Sequence, residues 1–447
     1  MPNRAPVRKD PKKQAKKRRA ENEPRPALPV TLVSGFLGSG KTSLLRHLLQ
    51  EKESKTRYCV IVNEISEFNV DAMAIEQGRL LQTDEKLVEM SNGCICCTLR
   101  EDLLVKLKEL QASGDYDRVI IESSGISEPI QVAETFFFPV EGKSLQEGIA
   151  PLTHCVSVVD ASTLLETMDC NRAPDEGLSA SGKDLSELLF DQIEFANVII
   201  VNKTDLVPSI DELLVLIKKL NPTATVIPAV HSRVDLETIV GVPVFSEQMA
   251  QSSKGWMDDV RNPKAPETLE YGISTFAFKA DKPFHPKRFY NWLTDNFILA
   301  EVSAEDDEDE GSNEGVESEE DDSGISAEMN ERKEKRESKY GRILRSKGFC
   351  WVAGETRIQL CVGWSHAGNI LNIDVGDTWE DLGKDPEQRL IFIGQDLKQE
   401  AIINDLNELL LNVEELRDLH DALENDEVSF PPFEDPFAEI KFDEIEK

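Results

Sequence analysis

The chain has 447 residues, of which 40% are hydrophobic and 30% are charged, and its formal net charge is −34. At roughly 150 residues per domain, this length predicts two to three domains and a sizeable core. The sequence lacks a run of about 18 apolar residues, so we expect no transmembrane helix. It also lacks the apolar stretch of a secretory signal peptide, and its eight Cys are too few for a disulfide scaffold.

The charge is unevenly distributed along the chain. Residues 301–322 contain 13 acids and no base, whereas residues 1–26 contain 10 bases and 3 acids. The remaining chain is still strongly acidic, and an acidic surface repels phosphate backbones, so we expect no binding to nucleic acid by the folded part. Residues 1–28 are predicted to be a disordered basic tail, which is either a solubilising arm or a contact for nucleic acid or an import receptor. We expect a cytoplasmic protein, and this tail leaves nuclear import open.

Short apolar runs begin at Pro29 and alternate with helical patterns. The predicted strands lie at 30–35, 58–64, 118–125, 154–161, 197–205 and 225–230. The predicted helices between them include 41–52, 100–110 and 209–220. Continuous apolar runs are typical of strands that are buried on both faces of a parallel sheet. The pattern therefore predicts an α/β domain over 29–235 with a mainly parallel sheet.

A second, smaller unit is predicted after a linker at 236–270. Strand patterns at 273–281, 347–355, 357–364 and 389–396 accompany a helical pattern at 285–297, which indicates an α+β domain over 271–400. The charged residues 301–338 are predicted to form a disordered acidic insertion in this domain, because they cannot bury enough apolar surface to become ordered. A helix at 401–422 and an acidic tail at 423–447 complete the prediction.

Residues 35–42 read GFLGSGKT and match the phosphate-binding P-loop pattern between a predicted strand and a predicted helix. In such a loop, the backbone around Gly35, Gly38, Ser39 and Gly40 directs N–H groups at phosphate oxygens. Lys41 is predicted to reach the β- and γ-phosphates, and the Thr42 hydroxyl is predicted to bind Mg²⁺.

Two further loops follow predicted strands. One is Asn202-Lys203-Thr204-Asp205, in which the Asp205 carboxylate can accept two hydrogen bonds from guanine. Asn202 would contact the 6-oxo and N7 side of the base, and Lys203 would pack on the ring. GTP is therefore the predicted nucleotide. The pattern argues against a small-molecule kinase. The other is Glu122-Ser123-Ser124-Gly125, in which Glu122 ends a predicted strand. A carboxylate at the end of a strand beside a P-loop can bind Mg²⁺ or the water around it, and Gly125 would offer its N–H to the γ-phosphate.

Cys94, Cys96 and Cys97 place three thiols within four residues. Soft thiolates at this density favour Zn²⁺ or Cu(I), whereas a redox cluster or inert packing thiols are the alternatives. Three sulfurs leave one tetrahedral position, and the sequence leaves any fourth ligand open. A site with an open position could release its metal by ligand exchange.

With these segments, the chain resembles the CobW-type GTP-dependent metallochaperones. The resemblance rests on GFLGSGKT, VNEISEFNVDA, SNGCICCTLREDL, IIESSGISEP and VNKTD, and in the second unit on PFHPKRFY, ILRSKGFCW and RLIFIGQDL. It implies a GTPase with slow intrinsic turnover that uses Mg²⁺, with Lys41, Thr42 and Glu122 at the reacting phosphates. It also implies that Cys94, Cys96 and Cys97 bind the metal and that the C-terminal domain engages client metalloproteins, whose identity remains open.

The function expected from the sequence is therefore GTP-dependent delivery of Zn²⁺ to client metalloproteins. One alternative is a regulatory or scavenging protein that binds zinc and GTP without transferring the metal. Another is delivery of cobalt for cobalamin synthesis, because three thiolates favour zinc but do not exclude Co²⁺.

Overall fold

The computed structural model describes residues 26–50, 56–62, 87–89, 98–123, 125, 128–137, 144–169, 185–243, 245, 271–299, 322–354, 358–424 and 432–439. These residues form two sheets with helices around them. Within these ranges, no helix is long and apolar enough to cross a bilayer.

The first sheet has seven parallel strands in the order β3-β2-β4-β1-β5-β6-β7. Its strands are β1 (Val30–Ser34), β2 (Tyr58–Val62), β3 (Leu87–Glu89), β4 (Arg118–Glu122), β5 (Leu152–Asp160), β6 (Val198–Asn202) and β7 (Thr225–Pro228). Its helices are α1 (Lys41–Gln50), α2 (Thr98–Ser113), α3 (Pro129–Phe137), α4 (Leu164–Met168), α5 (Leu185–Phe195), α6 (Asp211–Leu220) and α7 (Glu237–Val240). Every residue of β1 and β6 is buried, as expected for strands covered on both faces. The predicted α/β class is confirmed.

The first domain extends past its predicted end at residue 235. Ile239 and Val240 of α7 are buried in its core, and the Thr31 hydroxyl donates to the Ile239 carbonyl at 3.0 Å. Phe245 is also buried and packs on Phe195 with ring centroids 5.5 Å apart. The start of the predicted linker at 236–270 therefore belongs to the domain, because its few apolar residues complete the core beside the sheet.

The second sheet has six strands in the order β8-β13-β10-β11-β12-β9 and is antiparallel except for the β12–β9 pair. Its strands are β8 (Ile273–Ala280), β9 (Ile298–Leu299), β10 (Arg342–Cys350), β11 (Leu360–Ala367), β12 (Ile370–Thr378) and β13 (Gln388–Gln395). The accompanying helices are α8 (Pro286–Asn296), α9 (Asp322–Tyr340), α10 (Gln399–Leu409) and α11 (Val413–Glu424). The predicted smaller α+β domain is confirmed.

The second sheet packs directly on the first domain. Leu344 and Ile393 of this sheet share one buried apolar cluster with Phe190 and Ile193 of α5 and Ile217 of α6. Helix α5 consequently lies between the two domains, with nearly all of its residues buried. The apolar cluster around α5 contains residues of both domains, so the two domains share one packed core. Burial of this apolar surface is the main contribution that stabilises their contact.

The predicted disordered insertion at 301–338 differs from the structure over its second half. Helix α9 begins at Asp322, and its Arg336 is 2% exposed. The guanidinium donates to the carbonyls of Asn296 (3.2 Å) and Gly368 (2.8 Å) and to the Asn369 side chain (2.8 Å). Burial lowers the pKa of Arg336 to about 10, so the group remains charged at neutral pH. Long-range hydrogen bonds therefore order a segment whose composition alone indicates disorder.

The predicted single helix at 401–422 is two helices in the structure. Leu410 is extended and forms a β-bridge with Phe284. The Asn412 side chain then accepts hydrogen bonds from the N–H groups of Glu414 and Glu415, which starts α11. Within the predicted acidic tail, Phe437 is 3% exposed and joins the core of the second domain.

We expect Arg336→Met to destabilise the protein, because it removes the donor to the carbonyl of Asn296 and to the buried Asn369 side chain. Losing a buried hydrogen-bond partner costs about 1–3 kcal/mol, which urea unfolding measures as a lower transition midpoint. Lys335→Met is the matched control, since Lys335 is exposed on the same helix. Equal midpoints for the two variants would show that Arg336 does not anchor α9.

Candidate functional site

The carboxyl ends of four central strands meet at one edge of the first sheet. Register pairs Val33 near the end of β1 with Glu122 of β4, and Asp160 of β5 with Asn202 of β6. In open α/β sheets, ligands bind outside this edge. The geometry therefore brings together the strand ends that carry the P-loop and the loops after β4 and β6.

The P-loop wraps around the Lys41 ammonium. Lys41 is 5% exposed, and its Nζ donates to the carbonyls of Gly35 at 2.6 Å and Phe36 at 3.2 Å. Helix α1 starts at Lys41, so Thr42 lies in its first turn, where N–H groups and the helix dipole favour anions. The Ser39 hydroxyl is buried and makes no hydrogen bond within the described part of the chain. This orphaned hydroxyl fits a loop that holds a polar ligand.

Asn202 joins the P-loop to the neighbouring loops. Its Nδ2 donates to the Ser39 carbonyl at 2.8 Å, and its Oδ1 accepts from the Ser232 N–H at 2.7 Å. The Ser232 hydroxyl in turn donates to the Gly40 carbonyl at 2.9 Å. A Cβ at Gly40 would lie 2.2 Å from Asn202 Nδ2, so only glycine leaves room for this arrangement. Each end of the buried Asn202 amide thus makes one hydrogen bond inside the protein, and its contact with guanine stays a prediction.

Lys203 and Asp205 project from the loop after β6. Lys203 has a left-handed backbone (φ 60°), and its Nζ pairs with Asp160 Oδ2 at 2.6 Å. Desolvation raises the pKa of Asp160, but hydrogen bonds from Lys203 and Ser162 outweigh it and hold the pKa below its usual range. The ion pair fixes the Lys203 stem along the loop. Asp205 is exposed in the following 3₁₀ turn, so its carboxylate is accessible to a ligand.

The loop after β4 lies against the P-loop. Glu122 is 2% exposed at the end of its strand. A Cβ at Gly125 would lie 2.8 Å from the backbone nitrogen of Leu37, so the two loops are in close backbone contact. The Gln192 side chain of α5 donates to the Gly125 carbonyl at 3.1 Å.

Sequence reasoning missed three residues of this site. Asp160 ends a buried strand, which is the same signal that identifies Glu122. Ser232 is fully buried in a loop where it and His231 both have positive φ angles (55° and 53°), and no local pattern predicts this conformation. Gln192 lies on a helix that the predictions do not include.

The predicted metal ligands Cys94, Cys96 and Cys97 lie outside the described residues. Within the described ranges, no group of three or more His, Cys, Asp or Glu side chains is placed to hold a metal ion. Cys155 and Cys350 are buried, and burial raises the pKa of both thiols well above the usual value. Such thiols stay protonated and are poor metal ligands.

Comparison with known families adds two matches. The nucleotide-binding domain of the CobW/HypB/UreG family matches residues 29–228. The C-terminal domain of the cobalamin synthesis protein cobW matches residues 326–410, which includes most of α9 and the strands β10 to β13.

Two of the relatives described here match over most of the chain, and a third matches over less than half of it. The zinc-regulated GTPase metalloprotein activator 1 of Dictyostelium discoideum is 35% identical over 428 residues, which cover 87% of this chain and 81% of the relative. The zinc chaperone CobW of Pseudomonas aeruginosa is 35% identical over 186 residues, or 40% of this chain and 49% of the relative. The zinc chaperone YjiA of Escherichia coli is 26% identical over 382 residues, or 83% of this chain and 96% of the relative. The chain therefore belongs to the CobW family of P-loop proteins and is a GTPase.

Proposed function

We propose that this GTPase is a zinc metallochaperone that binds Zn²⁺ at Cys94, Cys96 and Cys97 and transfers it to client metalloproteins with GTP hydrolysis. The observation that carries the proposal is the position of β3, a parallel strand of the same sheet as β1. Parallel strands end at the same edge, so β3 ends at Glu89, a few positions before Cys94, on the edge of the sheet that carries the P-loop. Three strand spacings of about 4.8 Å separate β3 from β1, or roughly 14 Å.

The nucleotide half of the proposal uses the loops at this edge. The P-loop backbone at Gly35, Gly38, Ser39 and Gly40 would bind the phosphates, and Lys41 would neutralise charge on the β- and γ-phosphates. Thr42 and Glu122 would hold Mg²⁺, which supplies further charge neutralisation when it is bound. The orphaned Ser39 hydroxyl and the start of α1 at Lys41, directly after the P-loop glycines, support this fit.

The guanine half of the site rests on the loop after β6. The accessible Asp205 carboxylate would accept hydrogen bonds from guanine N1–H and the 2-amino group. The Lys203 stem, held by its ion pair with Asp160, would cover the ring. Asn202 would act indirectly, because its amide holds the P-loop and the loop at Ser232 in register.

The zinc half rests on thiolate chemistry and on the names of the relatives, which include zinc chaperones. Helix α2 begins at Thr98, directly after Cys97, and the positive end of a helix lowers the pKa of nearby thiols and favours thiolate. Zn²⁺ is the substrate of the transfer, and client metalloproteins receive it. A zinc- and GTP-binding regulatory or scavenging protein is the alternative, and cobalt delivery is a variant of the same mechanism. The cytoplasmic location stays a prediction.

We expect Asn202→Ala to weaken binding of guanine and xanthine nucleotides alike, because it disconnects the P-loop from the loop at Ser232. Losing two buried hydrogen bonds of about 1 kcal/mol each corresponds to roughly thirtyfold in affinity. Asp205→Asn is the contrasting variant. Its amide donates where the carboxylate accepts, so it should lose GDP affinity and gain affinity for xanthosine diphosphate. Titration with fluorescent nucleotides measures the affinities of both variants for guanine and xanthine nucleotides. These assignments would be contradicted if Asn202→Ala changed the preference between the two bases and Asp205→Asn did not.

We expect the triple variant Cys94→Ser, Cys96→Ser, Cys97→Ser to bind GTP normally but to lose zinc and zinc-stimulated GTP turnover, because serine hydroxyls stay protonated. Metal analysis and phosphate-release assays measure the two losses. Cys361→Ser is the control, since Cys361 is a half-buried thiol on β11, outside this loop. Zinc retained by the triple variant would refute the assignment of the ligands. Zinc lost without any change in turnover would favour the regulatory or scavenging protein.

A further inference from the structure

Helix α5 contacts the second domain and the nucleotide-binding edge through two adjacent stripes of side chains. Residues 187, 191 and 194 form one stripe, because positions three and four apart share a helix face. Residues 188, 192 and 195 form the next stripe, rotated by one residue. A helix of 11 residues is rigid on the scale of these contacts, so a displacement of one stripe displaces the other.

The first stripe is held by polar groups of the second sheet. Arg345 of β10 is fully buried, and its Nε lies 3.0 Å from Glu194 Oε1, while its Nη2 lies 3.5 Å from Asp191 Oδ1. The Asn372 side chain of β12 donates to Glu187 at 2.6 Å. These carboxylates are largely buried between the domains, where separating a buried charge from its partner is costly.

The second stripe reaches the loop after β4. Gln192 is fully buried, and its Nε2 donates to the Gly125 carbonyl at 3.1 Å. Gly125 in turn is pressed against the P-loop backbone at Leu37. Glycine has more backbone freedom than any other residue, so its peptide orientation needs an external restraint. The Gln192 amide is such a restraint, and it comes from a helix fixed on its other side by Arg345.

We propose that Gln192 is a positioning residue for GTP hydrolysis and that α5 makes the hydrolysis rate depend on how the second sheet is docked. This inference rests on the proposed placement of the Gly125 N–H at the γ-phosphate. Gln192 touches neither phosphate nor water in this scheme, and it acts by holding Gly125 where its N–H meets charge that develops during hydrolysis. A client that displaces the second sheet would thereby change the rate of hydrolysis without contacting the nucleotide.

The first test is Gln192→Leu in the full-length chain. Single-turnover hydrolysis of preloaded GTP should slow by about tenfold, which corresponds to about 1.4 kcal/mol. GDP affinity should stay within twofold, since GDP lacks the γ-phosphate. Gln388→Leu is the matched control, because Gln388 is also fully buried and donates to two carbonyls, those of Lys282 and Trp351, in the second domain. Equal rates for the two variants, or a parallel loss of GDP affinity in Gln192→Leu, would overturn the positioning role.

The second test asks whether the second sheet acts through α5. Arg345→Gln should slow hydrolysis, as Gln192→Leu does. Arg342→Gln is the control and should leave the rate unchanged, because Arg342 crosses the same interface but pairs with Asp169 at the end of α4 and not with α5. If Arg345→Gln fails to fold, Asn372→Leu, on a partly buried side chain, removes a milder contact to the same stripe. The double variant of Gln192→Leu and Arg345→Gln should be no slower than Gln192→Leu alone, and multiplied effects would refute the shared route.

Lys41→Ala tests the nucleotide site separately from the route through α5. If Lys41→Ala hydrolyses GTP at the wild-type rate, the proposed nucleotide site itself is wrong. If Lys41→Ala is inactive while Gln192→Leu and Arg345→Gln hydrolyse at the wild-type rate, only the route through α5 is wrong.

Discussion

The hydrogen bonds of the Asn202 side chain are the constraint on which the nucleotide site depends. The parallel sheet brings the strand ends to one edge, but it does not by itself fix the loops that leave them. Asn202 does so from a buried position, because one amide binds the P-loop through Ser39 and the loop after β7 through Ser232. Gly40 must lack a side chain for the same reason, because a Cβ there would lie 2.2 Å from Asn202 Nδ2.

A second consequence of the fold is that the two domains share α5. In a protein with separate domains, nucleotide state and client contact would need a moving linker to communicate. Here the second sheet packs its apolar face on α5 and α6, and Arg345 compensates acidic side chains that would otherwise be costly to bury. The same helix contacts Gly125 beside the P-loop. The structure therefore contains a short chain of contacts from the second domain to the P-loop.

The sequence predicts the parts of this architecture whose signals are local. Six of the seven strands of the first sheet are continuous apolar runs, and the P-loop is a fixed pattern of Gly, Lys and Thr, so these parts are found without knowledge of the fold. The short strand β3 (Leu87–Glu89) has no such run and is not predicted. Helix α5 is missed because it is buried almost all round, so its apolar residues show no simple one-sided pattern and its Glu187 and Glu194 resemble surface residues. Helix α9 is missed because its charged composition indicates disorder, while Arg336 obtains its partners from residues 32 to 40 positions away. The hydrogen bond from Asn202 to the Ser39 carbonyl is invisible for the same reason, since Ser39 lies 163 residues away.

In the proposed mechanism, the nucleotide state and the zinc affinity are coupled at one edge of the first sheet. A ligand can shift a conformational equilibrium only through different affinities for the two states, and the coupling is reciprocal. The most direct measurement is the zinc affinity of the full-length protein, obtained by titration against a competing chelator with a non-hydrolysable GTP analogue and again with GDP. We predict tighter zinc binding with the GTP analogue than with GDP. Equal affinities in the two states would contradict the coupled mechanism, even if Cys94, Cys96 and Cys97 proved to be the ligands.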